Sequence, residues 1–202
     1  MINKGLGSAV HIVQMIIAEV LKHGGTAVDA TAGNGHDTLF LARLVGSEGR
    51  VYAFDIQKKA LESTKKLLER YGAAGQVTLL NTGHEEMDKL VPEPVDAVLF
   101  NLGYLPGGDH ALVTSAGTTV TALKSAVELL RPGGRIGMVL YTGHPGGNEE
   151  LCAAEQYASG LKGAGFNVIK INYLNRTAHA PVIILVEKAG DLLESQAATQ
   201  NS

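Results

Sequence analysis

The chain has 202 residues, a formal net charge of -3 and a hydrophobic content of 45%. This length favours one domain, which we expect over residues 1–188, followed by a polar, frayed tail over 189–202. The acidic balance argues against a protein that coats long stretches of nucleic acid, and no DNA partner or membrane span is expected. A single cysteine excludes an internal disulfide and, with no apolar signal peptide, predicts a cytoplasmic protein.

Strand and helix patterns alternate along the chain. In chain order, the hydrophobic periodicity predicts a helix over 8–22, a strand over 26–30, a helix over 36–45, a strand over 50–55, a helix over 58–71 and strands over 77–80 and 95–101. It then predicts a helix over 118–130 that stops at Pro132-Gly133-Gly134, a strand over 135–141, a helix over 149–163 and strands over 166–173 and 182–187.

Apolar strands that alternate with helices predict a parallel sheet covered by helices on both faces. The last two strands have only about eight residues between them, too few for a crossover helix, so they should pair antiparallel. The sequence therefore predicts an α/β fold with a seven-stranded, mostly parallel sheet and an antiparallel terminal hairpin.

A glycine turn, Gly33-Asn34-Gly35, follows the first strand and opens a helix, as in sites that bind a ligand at a helix N-terminus. The third glycine of a dinucleotide motif is absent, and two carboxylates beside the turn would repel a pyrophosphate. They would instead hold a ligand with an ammonium and a sulfonium group, such as S-adenosylmethionine. The predicted cofactor contacts in this segment are Asp29, Gly33, Asn34, Gly35, His36 and Asp37.

Two further strand ends carry polar residues that suit the same cofactor. Asp55 follows the glycine turn by about 20 residues, the spacing at which an acidic residue accepts hydrogen bonds from ribose hydroxyls, and Gln57 would flank the ribose. Asp55 alone would also suit a helix cap. After the third strand, His84 and Glu85 are the candidates to bind the adenine amino group, or they begin a capped helix.

The fourth strand ends in Asn101-Leu102-Gly103-Tyr104, which resembles the Asn-Pro-Pro-Tyr motif of methyltransferases that modify amines. The Asn101 oxygen would accept hydrogens of the amine beside the cofactor, and Tyr104 would stack on a base. The two prolines are replaced by Leu102-Gly103, and a bare strand end with a turn is the alternative.

Glycine-rich loops after the fourth and fifth strands hold candidate proton acceptors. They are Asp109, His110 and His144, since an unperturbed histidine titrates near neutrality, although loop histidines are more often structural. No metal site is predicted.

Two basic features have open roles. Arg176, before the last strand, would meet a phosphate or be an exposed hairpin charge, and the lysine-rich helix over 58–71 is either a local basic patch or a solvated face.

Five segments together resemble the bacterial rRNA methylase family, whose characterised members look like MnmM-type tRNA wobble-uridine methyltransferases: DATAGNGHDTLFLA, VYAFDIQ, FNLGYLPGGDH, YTGHPGG and APVIILVEK. The resemblance covers residues 8 to 188 and implies a class I SAM-dependent methyltransferase (Rossmann-like) fold. One departure is Thr142, where the family carries His before Gly-His-Pro, whereas His144 is retained.

The resemblance implies methylation of the aminomethyl nitrogen of 5-aminomethyl-2-thiouridine at the tRNA wobble position, with S-adenosylmethionine as cofactor. It implies recognition of the tRNA anticodon arm, with the base turned out and stacked. The residues themselves also leave open an rRNA or small-molecule amine substrate, and a non-catalytic module that binds SAM or a nucleotide. A nicotinamide oxidoreductase is a more distant alternative, and a homodimer is compatible with the sequence.

Overall fold

The computed structural model describes residues 5–103, 114–177 and 180–190. Its helices are α1 (Ala9–Ala18), α2 (His36–Val45), α3 (Lys58–Arg70), α4 (Met87–Leu90), α5 (Ala116–Leu129) and α6 (Gly147–Ser159), and a short 3-10 turn (His84–Glu86) precedes α4. Its strands are β1 (Thr26–Asp29), β2 (Arg50–Phe54), β3 (Val77–Leu80), β4 (Val95–Leu102), β5 (Leu130–Leu140), β6 (Phe166–Ile171) and β7 (Val182–Lys188).

The strands form one sheet in the order β3-β2-β1-β4-β5-β7-β6. Strands β1 to β5 pair in parallel, whereas β7 pairs antiparallel with both β5 and β6. The predicted fold class is therefore confirmed, including the antiparallel terminal hairpin. The strand order reverses between β1 and β4, and in open α/β sheets ligands bind at the carboxyl ends of the strands near such a reversal.

Two apolar layers cover the sheet. One layer packs α1, α2 and α3 against it through side chains such as Ile17, Leu41 and Leu68. The other packs α4, α5 and α6 through side chains such as Met87 and Leu123. Because each large apolar side chain contributes about 1.5–3 kcal/mol when fully buried, both layers hold the strand ends in fixed positions.

The structure corrects several predicted boundaries. Helix α1 ends at Ala18, because the backbone tightens there and both Val20 N–H and Leu21 N–H donate to the Ile17 carbonyl. Strand β5 begins at Leu130, so the segment 132–134 lies inside it rather than before it. The pairing of β4 with β5 is irregular there. A helix start at His84, one of the two alternatives for this segment, is present as a 3-10 turn without a side-chain cap, whereas α4 was not predicted.

Within the described part of the chain, no helix combines the length and the hydropathy that crossing a membrane requires.

Candidate active site

A cavity of about 480 Å³ opens where the strand order reverses, within the 300–1,000 Å³ typical of small-molecule sites. It is lined by the ends of β1, β2, β4 and β5, by the segment after β3 and by the start of α5. Most of the predicted cofactor contacts line it: Gly33, Asn34, His36, Asp37, Asp55, Gln57, His84, Glu85 and Asn101. The residues are thus brought together from four separate strand ends.

The glycine turn after β1 is packed tightly against α3. Gly35 has a φ of 83° and directly precedes α2, and a Cβ there would lie 2.9 Å from atoms of Thr64. The Thr64 hydroxyl donates to the Gly33 carbonyl at 3.0 Å. Gly35 itself is buried and does not line the cavity, and its position shapes the turn; the cofactor contact named for it stays a prediction.

Asp55 joins the turn to the second strand end. Its Oδ2 accepts from the Gly33 N–H at 2.8 Å, and its Oδ1 accepts from the Gln57 N–H at 2.8 Å, just before α3. Since each carboxylate oxygen can accept more than one hydrogen bond, Asp55 can hold these two amides and still accept from a ligand. Gln57 is the N-cap residue of α3 and no side chain caps this helix, so the alternative of Asp55 as a helix cap is wrong.

Replacing Asp55 with alanine is expected to weaken S-adenosylmethionine binding about 10- to 100-fold, because hydrogen bonds to a charged acceptor contribute about 1.5–3 kcal/mol. Titration calorimetry would measure this loss, and thermal unfolding would check that the fold persists. Asp88→Ala removes an exposed carboxylate on α4 and serves as the matched control. Unchanged cofactor affinity in Asp55→Ala would contradict the predicted contact.

Asp37 and Asn101 face the cavity as a hydrogen-bonded pair. Asp37 Oδ2 accepts from Asn101 Nδ2 at 3.3 Å, and Asp37 Oδ1 accepts from Gln14 Nε2 of α1 at 2.7 Å. Burial raises the pKa of Asp37, although these two hydrogen bonds and the charge of His36 oppose the shift. Because the Asn101 amide nitrogen is directed at a carboxylate, its Oδ1 is the side-chain atom left to accept from a ligand.

The backbone of Asn101 is fixed as well. Its N–H donates to the Thr31 hydroxyl at 2.7 Å, which ties the end of β4 to the segment after β1. The Thr31 N–H donates in turn to Asp29 Oδ1 at 3.1 Å. One network therefore connects the two strand ends on either side of the reversal.

Asp29 lies behind the cavity wall rather than in it. Its side chain is fully buried, and Oδ2 accepts from the Thr38 hydroxyl at 2.6 Å. Burial and the nearby charge of Asp37 raise the pKa of Asp29 from its ordinary 3.8 to about 7. The Asp29 carboxylate thus accepts hydrogen bonds from Thr31 and Thr38, and Asp29 is not among the residues that line the cavity. The cofactor contact named for Asp29 from the sequence stays a prediction.

His84 offers a test of whether this cavity suits the predicted cofactor. The ring is 6% exposed, and its Nδ1 lies 3.1 Å from the Ala30 carbonyl, which can only accept, so Nδ1 carries the proton. The buried Nε2 is then an acceptor without a partner among the described residues, and burial lowers the pKa of the ring. An adenine amino group would satisfy this acceptor, and Asp55 would satisfy ribose hydroxyls, so the residues fit S-adenosylmethionine.

Sequence reasoning missed several residues of the site. Tyr141, at the end of β5, lines the cavity and is 38% exposed, and Gln14 holds Asp37 from a helix far away in sequence. The position of Tyr141 at the end of a predicted strand could have identified it from the sequence, whereas no local sequence pattern marks Gln14. Hydroxyl side chains also line the cavity: Thr31, Thr82, Thr114, Ser115 and Thr118.

The other predicted site residues lie away from the cavity or outside the described residues. His144 does not line it; its Nδ1 lies 3.0 Å from the Pro145 carbonyl, beside the start of α6. Tyr104, Asp109 and His110 lie outside the described residues. Within the described ranges, no group of three or more His, Cys, Asp or Glu side chains is arranged to hold a metal ion.

Similar proteins carry the same architecture and cofactor chemistry. The chain is 43% identical over 194 residues to a chloroplastic tRNA (mnm(5)s(2)U34)-methyltransferase of Arabidopsis thaliana, which covers 91% of this chain and 70% of that protein. A crystal structure of a "putative rRNA-methylase" from Clostridium thermocellum has a TM-score of 0.87 and 43% identity, covering 90% of this chain and 97% of the other. A "putative methyltransferase" of Streptococcus mutans in complex with SAH has a TM-score of 0.82 and 36% identity, covering 90% and 98%.

Sheet order, cavity position and these relatives together define a class I SAM-dependent methyltransferase. Within that class the chain belongs to the family described as "Putative rRNA methylase", whose model matches residues 51–187. The predicted family, enzyme class and cofactor are therefore confirmed.

Proposed function

We propose that this methyltransferase acts on tRNA and methylates the aminomethyl nitrogen of 5-aminomethyl-2-thiouridine at the wobble position, with the anticodon arm as its binding partner. The observation that carries the proposal is the orientation of the Asn101 amide at the end of β4. A relative with 43% identity is named for the same position of tRNA, which supports the substrate class.

Asn101 is suited to hold an amine nucleophile. Its Nδ2 is engaged by Asp37 at 3.3 Å, and its backbone is held by Thr31, so Oδ1 presents a fixed acceptor to the cavity. An amine that donates a hydrogen bond to this oxygen is restricted in its orientation. Because the bonds of the nitrogen determine where its lone pair points, the lone pair is oriented as well. Such fixed orientation converts a two-body encounter into an effectively unimolecular step.

The amine must also be neutral, because an ammonium group has no lone pair. Asp37 is the proton acceptor that we assign in place of the loop residues named from the sequence. It lines the cavity beside Asn101, and burial raises its pKa, which makes its carboxylate a stronger base than an ordinary aspartate. The proton leaves the amine nitrogen and is taken by a carboxylate oxygen of Asp37.

When bound, S-adenosylmethionine would supply an activated methyl group: the neutral amine nitrogen would bond to the methyl carbon, the carbon–sulfur bond would break, and the sulfur would leave as the thioether of S-adenosylhomocysteine. The protein contributes position and a site partly shielded from water, with Phe54 and Tyr141 among its lining side chains. Little further chemistry is required of it, since the sulfonium is already activated.

Incubation with methyl-labelled S-adenosylmethionine and bulk tRNA from a strain that lacks the corresponding enzyme tests the proposal. After digestion, mass spectrometry should find the label in 5-methylaminomethyl-2-thiouridine. The control is the same reaction with tRNA from the parent strain, in which the position is already methylated and should take up little label.

Two outcomes would contradict the proposal at different levels. Label in another tRNA nucleoside would overturn the aminomethyl nitrogen as the target. Label only in ribosomal RNA or in small amines would overturn tRNA as the substrate, while the methyltransferase class would stand.

A further inference from the structure

The turn between β6 and β7 lies at the same edge of the sheet as the cavity. Val182, which begins β7, pairs with Leu140 at the carboxyl end of β5, and Ile171, which ends β6, pairs with Ile183. The residue after Leu140 is Tyr141, which lines the cavity. The described residues that follow β6, 172–177, therefore lie at the same end of the sheet as the cavity, and none of them takes part in the proposed mechanism.

An arginine lies over a tyrosine ring in this segment. The Arg176 guanidinium carbon lies 3.9 Å from the centre of the Tyr173 ring. The Tyr173 hydroxyl donates to the Leu6 carbonyl at 2.9 Å, and the Tyr173 ring packs against the apolar layer that contains α1. These two contacts hold the ring in position. Arg176 is exposed, and no carboxylate of the described residues pairs with it.

This Arg–Tyr pair is close to the catalytic edge. Tyr173 follows the end of β6 by two residues, and the pairing of Ile171 with Ile183 places it at the same end of the sheet as Tyr141. Burial raises the pKa of Tyr141, as do the charge of Asp37 and the Tyr173 hydroxyl. Leu174, between the two partners of the pair, is fully exposed at 101%. An exposed guanidinium and an exposed apolar side chain therefore lie two residues apart in the segment that follows β6.

The chemistry of this surface matches single-stranded RNA. A guanidinium plane stacks on nucleobases while its N–H groups reach phosphate oxygens, and apolar side chains accept the faces of unstacked bases. The exposed positive charge of Arg176 at this end of the sheet also attracts a polyanion such as RNA. It does so although the chain as a whole has a net charge of -3.

We propose that Arg176, stacked on Tyr173, is a docking platform for the nucleotide that flanks the methylated one in a single-stranded RNA loop. A flanking base stacks on the outer face of the guanidinium, and the adjoining phosphate accepts its N–H groups. The proposal rests on the proposed function, because it takes RNA as the substrate.

The test compares Arg176→Ala with a matched control, Arg43→Ala. Arg43 is also an exposed arginine over a tyrosine, 4.7 Å from the Tyr71 ring centre, but it lies at the end of α2, at the opposite edge of the sheet. Methyl transfer to an anticodon stem-loop RNA is measured with each protein, and binding of the same fluorescent RNA is followed by anisotropy over a range of salt concentrations.

For Arg176→Ala we expect KM and Kd for the RNA to rise about 10-fold with kcat and cofactor affinity unchanged, and the salt slope of RNA binding to fall by about one. Arg176→Lys should recover the salt slope but only part of the affinity, because lysine cannot stack. Transfer to the free nucleoside 5-aminomethyl-2-thiouridine should be the same in all variants, since it has no flanking nucleotide.

The outcomes separate this proposal from the proposed function. If the parent protein methylates the RNA and Arg176→Ala matches Arg43→Ala, the platform is overturned and the function stands. If the parent protein methylates no RNA, the proposed function is overturned, and the binding data decide the docking platform separately. Weaker RNA binding by Arg176→Ala than by the parent supports the platform. Equal RNA binding by the two proteins, or no RNA binding by the parent, overturns it.

Discussion

Replacing Asn101 with alanine is expected to lower kcat for methyl transfer about 100- to 1,000-fold, or about 3–4 kcal/mol in the activation free energy. The change removes the side-chain oxygen that would hold the amine, and it also removes the Nδ2 donor to Asp37. The backbone N–H of residue 101 can still donate to Thr31, so the strand end should keep its place. The loss should therefore fall on kcat far more than on cofactor affinity.

Single-turnover rates and calorimetric cofactor affinity would separate these two effects. Asn167→Ala is the matched control, because Asn167 is an exposed asparagine on β6 whose amide donates to Glu187. Turnover by Asn101→Ala at the parent rate, with normal cofactor binding, would refute the assignment of the amine site.

Replacing Asp29 with asparagine is expected to change how stability depends on pH. The pKa of Asp29 is raised to about 7 by burial and by Asp37, so the folded protein keeps this proton at pH values where the unfolded chain has lost it. Between about pH 4 and pH 7 the folded state binds more protons, and the free energy of unfolding falls as pH rises. The full difference is on the order of 4 kcal/mol, partly shared with Asp37.

An asparagine side chain at this position cannot ionise, while its amide oxygen can still accept from the Thr31 N–H. The stability of the Asp29→Asn variant should therefore exceed that of the parent only slightly near pH 4.5 and far more near pH 8. Urea unfolding at both pH values would measure this, with Asp88→Asn as the control for loss of an exposed carboxylate. Parallel stability curves for Asp29→Asn and the parent would show that Asp29 is not held protonated in the fold.

The fold could be predicted from local signals, because strand and helix periods alternate cleanly in this chain. Predicted element boundaries were wrong where a long-range contact, rather than the local sequence pattern, determines the structure. Pro132 and the two glycines after it predict a break between a helix and a strand. The segment instead belongs to β5 and lies opposite an irregularity in β4. Asp96 explains part of this, since its carboxylate accepts from Arg131 at 3.1 and 3.2 Å and holds the segment in place.

The site was predictable in its position but not in the direction of each side chain. The carboxyl ends of parallel strands meet at one end of the sheet, so Asp55 was predicted from its spacing after the glycine turn, and His84 and Asn101 from their positions at strand ends. Whether a carboxylate faces a ligand or the interior depends on neighbours such as Thr38, and sequence spacing does not reveal this for Asp29. Gln14 is a further case, because its contact with Asp37 joins residues that are 23 positions apart.

The position of β7 has a consequence for synthesis of the chain on the ribosome. This strand lies between β5 and β6, with Ile183, Ile184, Leu185 and Val186 buried, although it is the last of the seven to be made. Until residue 188 has been added, β5 presents an unpaired edge and β6 has no partner to pair with. A nascent or truncated chain that stops before residue 182 should therefore be prone to edge-to-edge aggregation, and chaperones that bind open strand edges should associate with it until the final strand inserts.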